Sequence, residues 1–207
     1  MLKKAKIAVL VSGGGTNLEA LLRAQESGKL PHGEIALVVS SQPEAYALTR
    51  AENHGVPTVA ISRKECTQEL FETALFARLR QYEIDLIVLA GFLSILSGDF
   101  VRQWPGRIVN VHPSLLPAFC GRGCYGLKVH EAALARGVKV TGATVHLVNE
   151  IPDGGEILLQ KTVKVLPGDT PELLQKRVME QAEWMLLPRA AELLCRELTG
   201  RQKGTLG

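Results

Sequence analysis

Three short segments hold residues whose types and spacing suit chemistry. The first is Ser12-Gly13-Gly14-Gly15-Thr16-Asn17. Glycines let backbone N–H groups approach a phosphate, and a helix start adds donors and a favourable dipole. It lacks the Gly-Lys-Ser/Thr ending of a P-loop and the spacing of a dinucleotide fingerprint. It is either a phosphate cradle or a plain tight turn with Thr16 or Asn17 as N-cap. The second is Asn110-Val111-His112-Pro113-Ser114-Leu115-Leu116-Pro117. Asn110 and His112 lie two apart at a strand end, so their side chains share one face. An amide donor beside an imidazole suits a reaction in which an oxyanion forms while protons move; the alternative is a structural histidine beside a turn-making asparagine. The third is Asn149-Glu150-Ile151-Pro152-Asp153-Gly154-Gly155. Asp-Gly between two strands is first of all a hairpin-turn signal, but a carboxylate there can also orient an imidazole and favour its protonated form.

Other candidates are less specific. His146 lies mid-strand and reads equally as a core histidine or a site residue. His32 and His54 read as surface residues. Cys120 and Cys124 are close in sequence, but no second pair completes a zinc set, so reduced loop thiols are expected. No Ser-His-Asp order, Cys-His pair or HExxH sequence is present.

The elements that must position these residues follow from apolar spacing. Strands are expected at 6–11, 35–39, 56–61, 86–90 and 107–111, alternating with helices at 17–26, 45–53, 68–81 and 97–104. Residues 113–126 form a loop, and 127–136 a helix stopped by Gly137. Strands at 139–148 and 156–165 are joined by a short turn and pair antiparallel. Thr170 caps one long closing helix over 171–198. The fold class is α/β: a single domain with a mostly parallel central sheet, helices on both faces and a Rossmann-like N-terminal half. Ligands in such sheets bind beyond the carboxyl ends of strands, where the three segments fall.

The chain has 207 residues, 46% hydrophobic and 22% charged, with a net charge of only +3. This is the balance of a globular protein. The charge is too small and scattered to imply a nucleic-acid partner. The basic ends (Lys3, Lys4, Lys6, Arg201 and Lys203) read as solvated. No apolar run is long enough to span a membrane, so a cytoplasmic protein with no membrane partner is expected.

Together, in order and spacing, the three segments resemble the phosphoribosylglycinamide formyltransferases of the folate-dependent formyltransferase superfamily. The resemblance runs from Lys6-Ile7-Ala8-Val9-Leu10-Val11-Ser12-Gly13 to Glu183 and Pro188, and includes Thr141-Gly142-Ala143-Thr144-Val145-His146. It implies a single formyltransferase domain over 1–207, with a nucleotide-binding half at about 1–105 and a catalytic and folate-binding half at about 106–207. The implied reaction, in de novo purine biosynthesis, moves a formyl group from 10-formyltetrahydrofolate, as cosubstrate, to the amine of glycinamide ribonucleotide. The amine attacks directly through a tetrahedral intermediate, so no enzyme nucleophile and no metal is needed. By resemblance, Asn110, His112 and Asp153 are catalytic. Gly15, Thr16 and Asn17 hold the substrate phosphate and Glu183 meets the ribose. Leu93, Ser94, Ile95, Leu96, Asn149, Glu150, Ile151 and Pro152 contact the folate. The protein would act as monomer or homodimer.

Ser94 stands where many relatives carry Arg or Lys, the segment 63–68 offers no clear folate arginine, and Cys120 replaces the proline that commonly precedes the loop glycine. Competing readings are a hydrolase of formyltetrahydrofolate, a formyltransferase for another amine such as a nucleotide sugar, and a non-catalytic nucleotide-binding protein. The glycine loop favours a phosphate-bearing acceptor; a mere binder needs none of Asn110, His112 and Asp153.

Overall fold

The structure, a computed structural model, describes residues 3–204, with side chains to residue 200. Its elements run β1 (Ala5–Val11), α1 (Thr16–Glu26), β2 (Gly33–Ser40), α2 (Tyr46–Asn53), β3 (Thr58–Ala60), α3 (Gln68–Gln81) and β4 (Leu86–Leu89). There follow α4 (Gly98–Arg102), β5 (Ile108–His112), α5 (Leu127–Arg136), β6 (Val140–Leu147), β7 (Ile157–Lys164), α6 (Pro171–Val178) and α7 (Trp184–Gly204). One seven-stranded sheet has the order β3-β2-β1-β4-β5-β6-β7. The β1–β2, β1–β4, β2–β3 and β4–β5 pairings are parallel; β5–β6 and β6–β7 are antiparallel, as the short β6–β7 connection requires.

Strand alternation sorts the core into two layers. Ile7, Val9 and Val11 of β1 pack with Leu18, Leu21 and Leu22 of α1 and with Leu187, Ala190 and Ala191 of α7. Ala8 and Leu10 point the other way, into Phe71, Leu75 and Leu79 of α3. Side chains covered on both faces explain why β1 and β4 read as continuous apolar runs rather than alternating ones.

The closing helix is not continuous. Thr170 does cap its start, accepting from the Leu173 N–H at 3.3 Å. A wide π turn then interrupts it at Met179–Glu183. Pro188, inside α7, has no N–H to give the carbonyl of Trp184, and the chain widens directly before that residue. Lys6 is not merely solvated either: its ammonium lies 2.6 Å from Glu83 Oε2. The side chains of Arg201 and Lys203 lie outside the described residues.

Candidate active site

The site opens at the carboxyl end of β5. Alternation along Ile108–His112 buries Val109 and Val111 in the apolar layer packed against α7 and turns Asn110 and His112 to the opposite face. Register then adds a third side chain, because β6 pairs Asn110 with His146 and His112 with Thr144. His146 Nδ1 lies 2.8 Å from the Leu147 carbonyl, so that nitrogen carries the proton. Nε2 is then free to accept from the Asn110 amide at 3.2 Å. His146, ambiguous from its mid-strand position, is therefore both buried and a neighbour of the site.

Asp153 arrives by a less direct route than strand order suggests. Since β6 runs antiparallel to β5, it ends beside Val109 and not beside His112. The loop 148–156 folds back along β5 to reach the site. That fold is tight: a Cβ on Gly155 would stand 1.7 Å from the Leu147 carbonyl oxygen, so only glycine fits. Asp153 Oδ1 ends 3.7 Å from His112 Nδ1 and 3.7 Å from His146 Nε2, and Oδ2 accepts the Gly121 N–H at 2.9 Å. The Asp-Gly segment is thus a turn and a carboxylate carrier at once.

His112 is enclosed by acceptors. Its Nε2 lies 2.9 Å from the Phe119 carbonyl and must carry a proton there; its Nδ1 faces Asp153. Phe119 (φ 51) and Asp153 (φ 56), the two residues that address this ring, are both non-glycine residues in the left-handed region. Such strain is typical of functional sites, where surrounding structure holds it. Burial pulls the Asp153 carboxyl upward, but the nearby His146 side chain, the Gly121 N–H and the neighbouring His112 outweigh it and hold the group below the usual carboxylate range.

A cleft of about 830 Å³ joins this centre to the glycine loop. Gly13, Gly14, Gly15, Thr16 and Asn17 line one end. Neither Thr16 nor Asn17 caps α1: Gly15 is the N-cap, at φ 74, with no side-chain hydrogen bond. Thr16 Oγ1 turns to Met179 Sδ at 3.7 Å, and the Asn17 amide donates to Glu183 Oε2 at 2.7 Å. The π turn presents Glu183 to that amide. Burial pushes the Glu183 carboxyl up to about 7, against the lowering effect of Asn17. Asn17 Oδ1, also buried, has no hydrogen-bond partner.

Of the remaining expected contacts, Leu93, Ser94, Ile95 and Pro152 line the cleft, with Leu93 and Ile95 exposed. Leu96 instead turns into the core beside α3. Asn149 holds its own loop, donating to the Gly154 carbonyl at 3.0 Å and accepting from the Ile151 N–H at 2.9 Å. Glu150 pairs with Arg102 outside the cleft, and Ile151 is exposed. Arg63 bonds the Cys66 carbonyl and Gln68 within its own segment. His32 and His54 stand against Glu192 and Glu26, away from the cleft. Ser12 accepts the Leu93 N–H at 2.9 Å and lies 2.7 Å from the Ser41 hydroxyl, linking the ends of β1, β2 and β4.

Sequence reasoning passes over His130 and the lining role of loop 121–126. His130 on α5 is fully buried at the cleft with both ring nitrogens unpartnered, and burial, with His112 nearby, lowers it to about 4. Nothing in its spacing distinguishes it from a core position. Cys120 and Cys124 are free thiols; burial, then Asp153 and Cys124, raise the Cys120 thiol. Among the described residues, no group of three or more His, Cys, Asp or Glu is placed to hold a metal ion, and no helix is long and apolar enough to cross a membrane.

A family model described as formyl transferase matches residues 5–190. The trifunctional purine biosynthetic protein adenosine-3 of Gallus gallus is 45% identical over 192 residues, 92% of this chain; the chain spans only 18% of that relative's length. The phosphoribosylglycinamide formyltransferase of Haemophilus influenzae is 41% identical over 184 residues, 88% of this chain and 84% of the relative. The crystal structure of glycinamide ribonucleotide transformylase 1 from Symbiobacterium toebii superposes with a TM-score of 0.87 at 40% identity, over 94% of this chain and 89% of that one.

Proposed function

The chain belongs to the formyl transferase family, and from that premise we propose that it moves a formyl group from 10-formyltetrahydrofolate to the amine of glycinamide ribonucleotide. The observation that carries this reading is the convergence of Asn110, His112 and Asp153 on one cleft whose far end is the uncapped glycine loop. The ribonucleotide lies with its phosphate at Gly15, Thr16 and Asn17 and its ribose toward Glu183. The folate lies against Leu93, Ser94, Ile95 and Pro152. The phosphate and ribose contacts then come from both 1–105 and 106–207, since Asn17 and Glu183 meet across that division.

The amine attacks the formyl carbon, forming the new C–N bond and placing negative charge on the former carbonyl oxygen. One N–H of Asn110 is engaged by His146; the amide's second N–H is the donor for that oxyanion. His112, held between the Phe119 carbonyl and Asp153, stabilises the intermediate and as its acid supplies a proton to N10 of the folate. The C–N10 bond breaks, the attacking nitrogen releases its own proton, and formylated ribonucleotide and tetrahydrofolate separate. Asp153 orients the imidazole from 3.7 Å, and no metal takes part. Its partners are these two small substrates, in the cytoplasm, with the chain as monomer or homodimer.

The test is formation of formylated product from glycinamide ribonucleotide and 10-formyltetrahydrofolate by purified protein. Release of formate at the same rate without acceptor would mark a hydrolase and overturn the transferase reading.

A further inference from the structure

Two successive carbonyls of the glycine loop are gripped from behind. The Gly13 carbonyl accepts the N–H of Ala47 at 3.1 Å, and the Gly14 carbonyl accepts Nε–H of Arg50 at 2.8 Å. Both donors belong to α2. In a planar trans peptide the carbonyl and the following N–H point in opposite directions. Holding these carbonyls from α2 therefore turns the N–H groups of Gly14 and Gly15 away from α2. Both residues line the cleft. The approach is as close as glycine permits: a Cβ on Gly15 would meet the Ala47 Cβ at 2.6 Å.

Arg50 is itself braced. Its second nitrogen lies 3.2 Å from Glu19 Oε2, and its guanidinium sits over the Tyr46 ring at 5.1 Å. Glu19 is held below the usual carboxylate range, first by its hydrogen bond with Arg23 and also by Arg50. The brace stays charged at neutral pH. At the same end of the cleft, the buried Asn17 Oδ1 is an acceptor with no partner in the protein, which suits a donating hydroxyl of the ribose beside the phosphate and not a phosphate oxygen.

We propose that Arg50 is a positioning residue for the ribonucleotide phosphate: by holding the Gly14 carbonyl, it presets the loop's amide donors before the phosphate arrives. This rests on the phosphate seat proposed above. Arg50 acts through the backbone, so its removal should weaken the phosphorylated ligand specifically and leave the chemical step alone.

The experiment titrates calorimetrically two ligands, glycinamide ribonucleotide and the glycinamide riboside that lacks the phosphate, into the wild type and Arg50→Met. Steady-state kinetics run alongside. The ribonucleotide should bind about tenfold more weakly to the variant, about 1.4 kcal/mol. Riboside binding, the KM for folate and kcat at saturating ribonucleotide should not change. Equal weakening of both ligands, or of neither, overturns the proposal. If the methionine variant does not fold, Arg50→Lys keeps the charge but loses the fork, and the same selective loss, smaller in size, is expected. A wild type that binds both ligands equally would overturn the phosphate seat itself, a failure distinct from that of Arg50.

Discussion

Asp153 faces His112 across 3.7 Å from a loop that begins at the wrong end of its strand and doubles back. The same carboxylate oxygen is 3.7 Å from His146, and the other oxygen bonds Gly121. One side chain thereby ties the β6–β7 loop, the β5 end and the loop around residue 121 into one centre.

Removing any member of that centre should disable it. Asn110→Ala, His112→Ala and Asp153→Asn are each expected to lower kcat by about 100-fold to 1,000-fold while preserving the fold. The paired variants should lose less than the product of the single effects. Steady-state kinetics with circular dichroism on each protein checks this. Near-normal turnover in one variant removes that residue from the mechanism.

Glu183 makes the unliganded protein's stability depend on pH in an identifiable window. Its folded value is raised to about 7 from 4.5, first by burial. A raised acid stabilises the fold fully below its unfolded value, and that contribution fades as pH rises through the folded value. The Glu183 contribution should therefore fall between pH ~4.5 and ~7, by up to about 3 kcal/mol, against a rise of similar size from His130, whose value burial lowers from 6.5 to about 4. Glu183→Gln should remove the falling part and leave the His130 rise, so the variant gains stability relative to wild type as pH increases, while ribonucleotide binding weakens. Denaturation midpoints across pH 4 to 8 decide it; parallel curves for both proteins would show that Glu183 is not the source.

Gly15→Ala should cost about 1–3 kcal/mol, since it adds a Cβ at a left-handed position against Ala47. Ala47→Gly in the same chain removes the Cβ contact at 2.6 Å but leaves the Cα of residue 47 at 2.8 Å and the left-handed backbone, so it should recover only part of the loss. Urea melts of the single and double variants measure both. Full recovery would mean that neither the backbone angle nor the approach to the Cα of residue 47 carries a cost.

Metal analysis of the purified protein should find no stoichiometric zinc, because two thiols form an incomplete set. Zinc at one equivalent, lost in Cys120→Ser or Cys124→Ser, would be the contrary result.

The alternation of strand and helix was legible because periodicity reports burial directly: α3 and α5 end where their spacing places them. The break at Met179–Glu183 was less so, although Pro188 stood in plain sight; apolar spacing runs through a π turn with little change. Asn110 and His112 could be paired from sequence because period two is local. That His146 joins them depends on β5–β6 register, which no local pattern encodes. Leu96 illustrates the reverse case, since neighbours in one loop need not share a face, and it turns inward while Ile95 stays exposed. Thr16 and Asn17 have cap-forming side chains, yet contacts with Met179 and Glu183, remote in sequence, take them.

The strand order β1-β4-β5 also makes the sheet a ruler. The glycine loop leaves β1, and Asn110 and His112 end β5, two strands away. Neighbouring strands lie about 4.8 Å apart, so the two ends of the cleft are offset laterally by about 10 Å. That interval is written in backbone hydrogen bonds and cannot stretch to suit a ligand. In the proposed reading it selects acceptors by length: a phosphate seated on β1's loop presents its amine to Asn110 only if a group the size of a ribose stands between them.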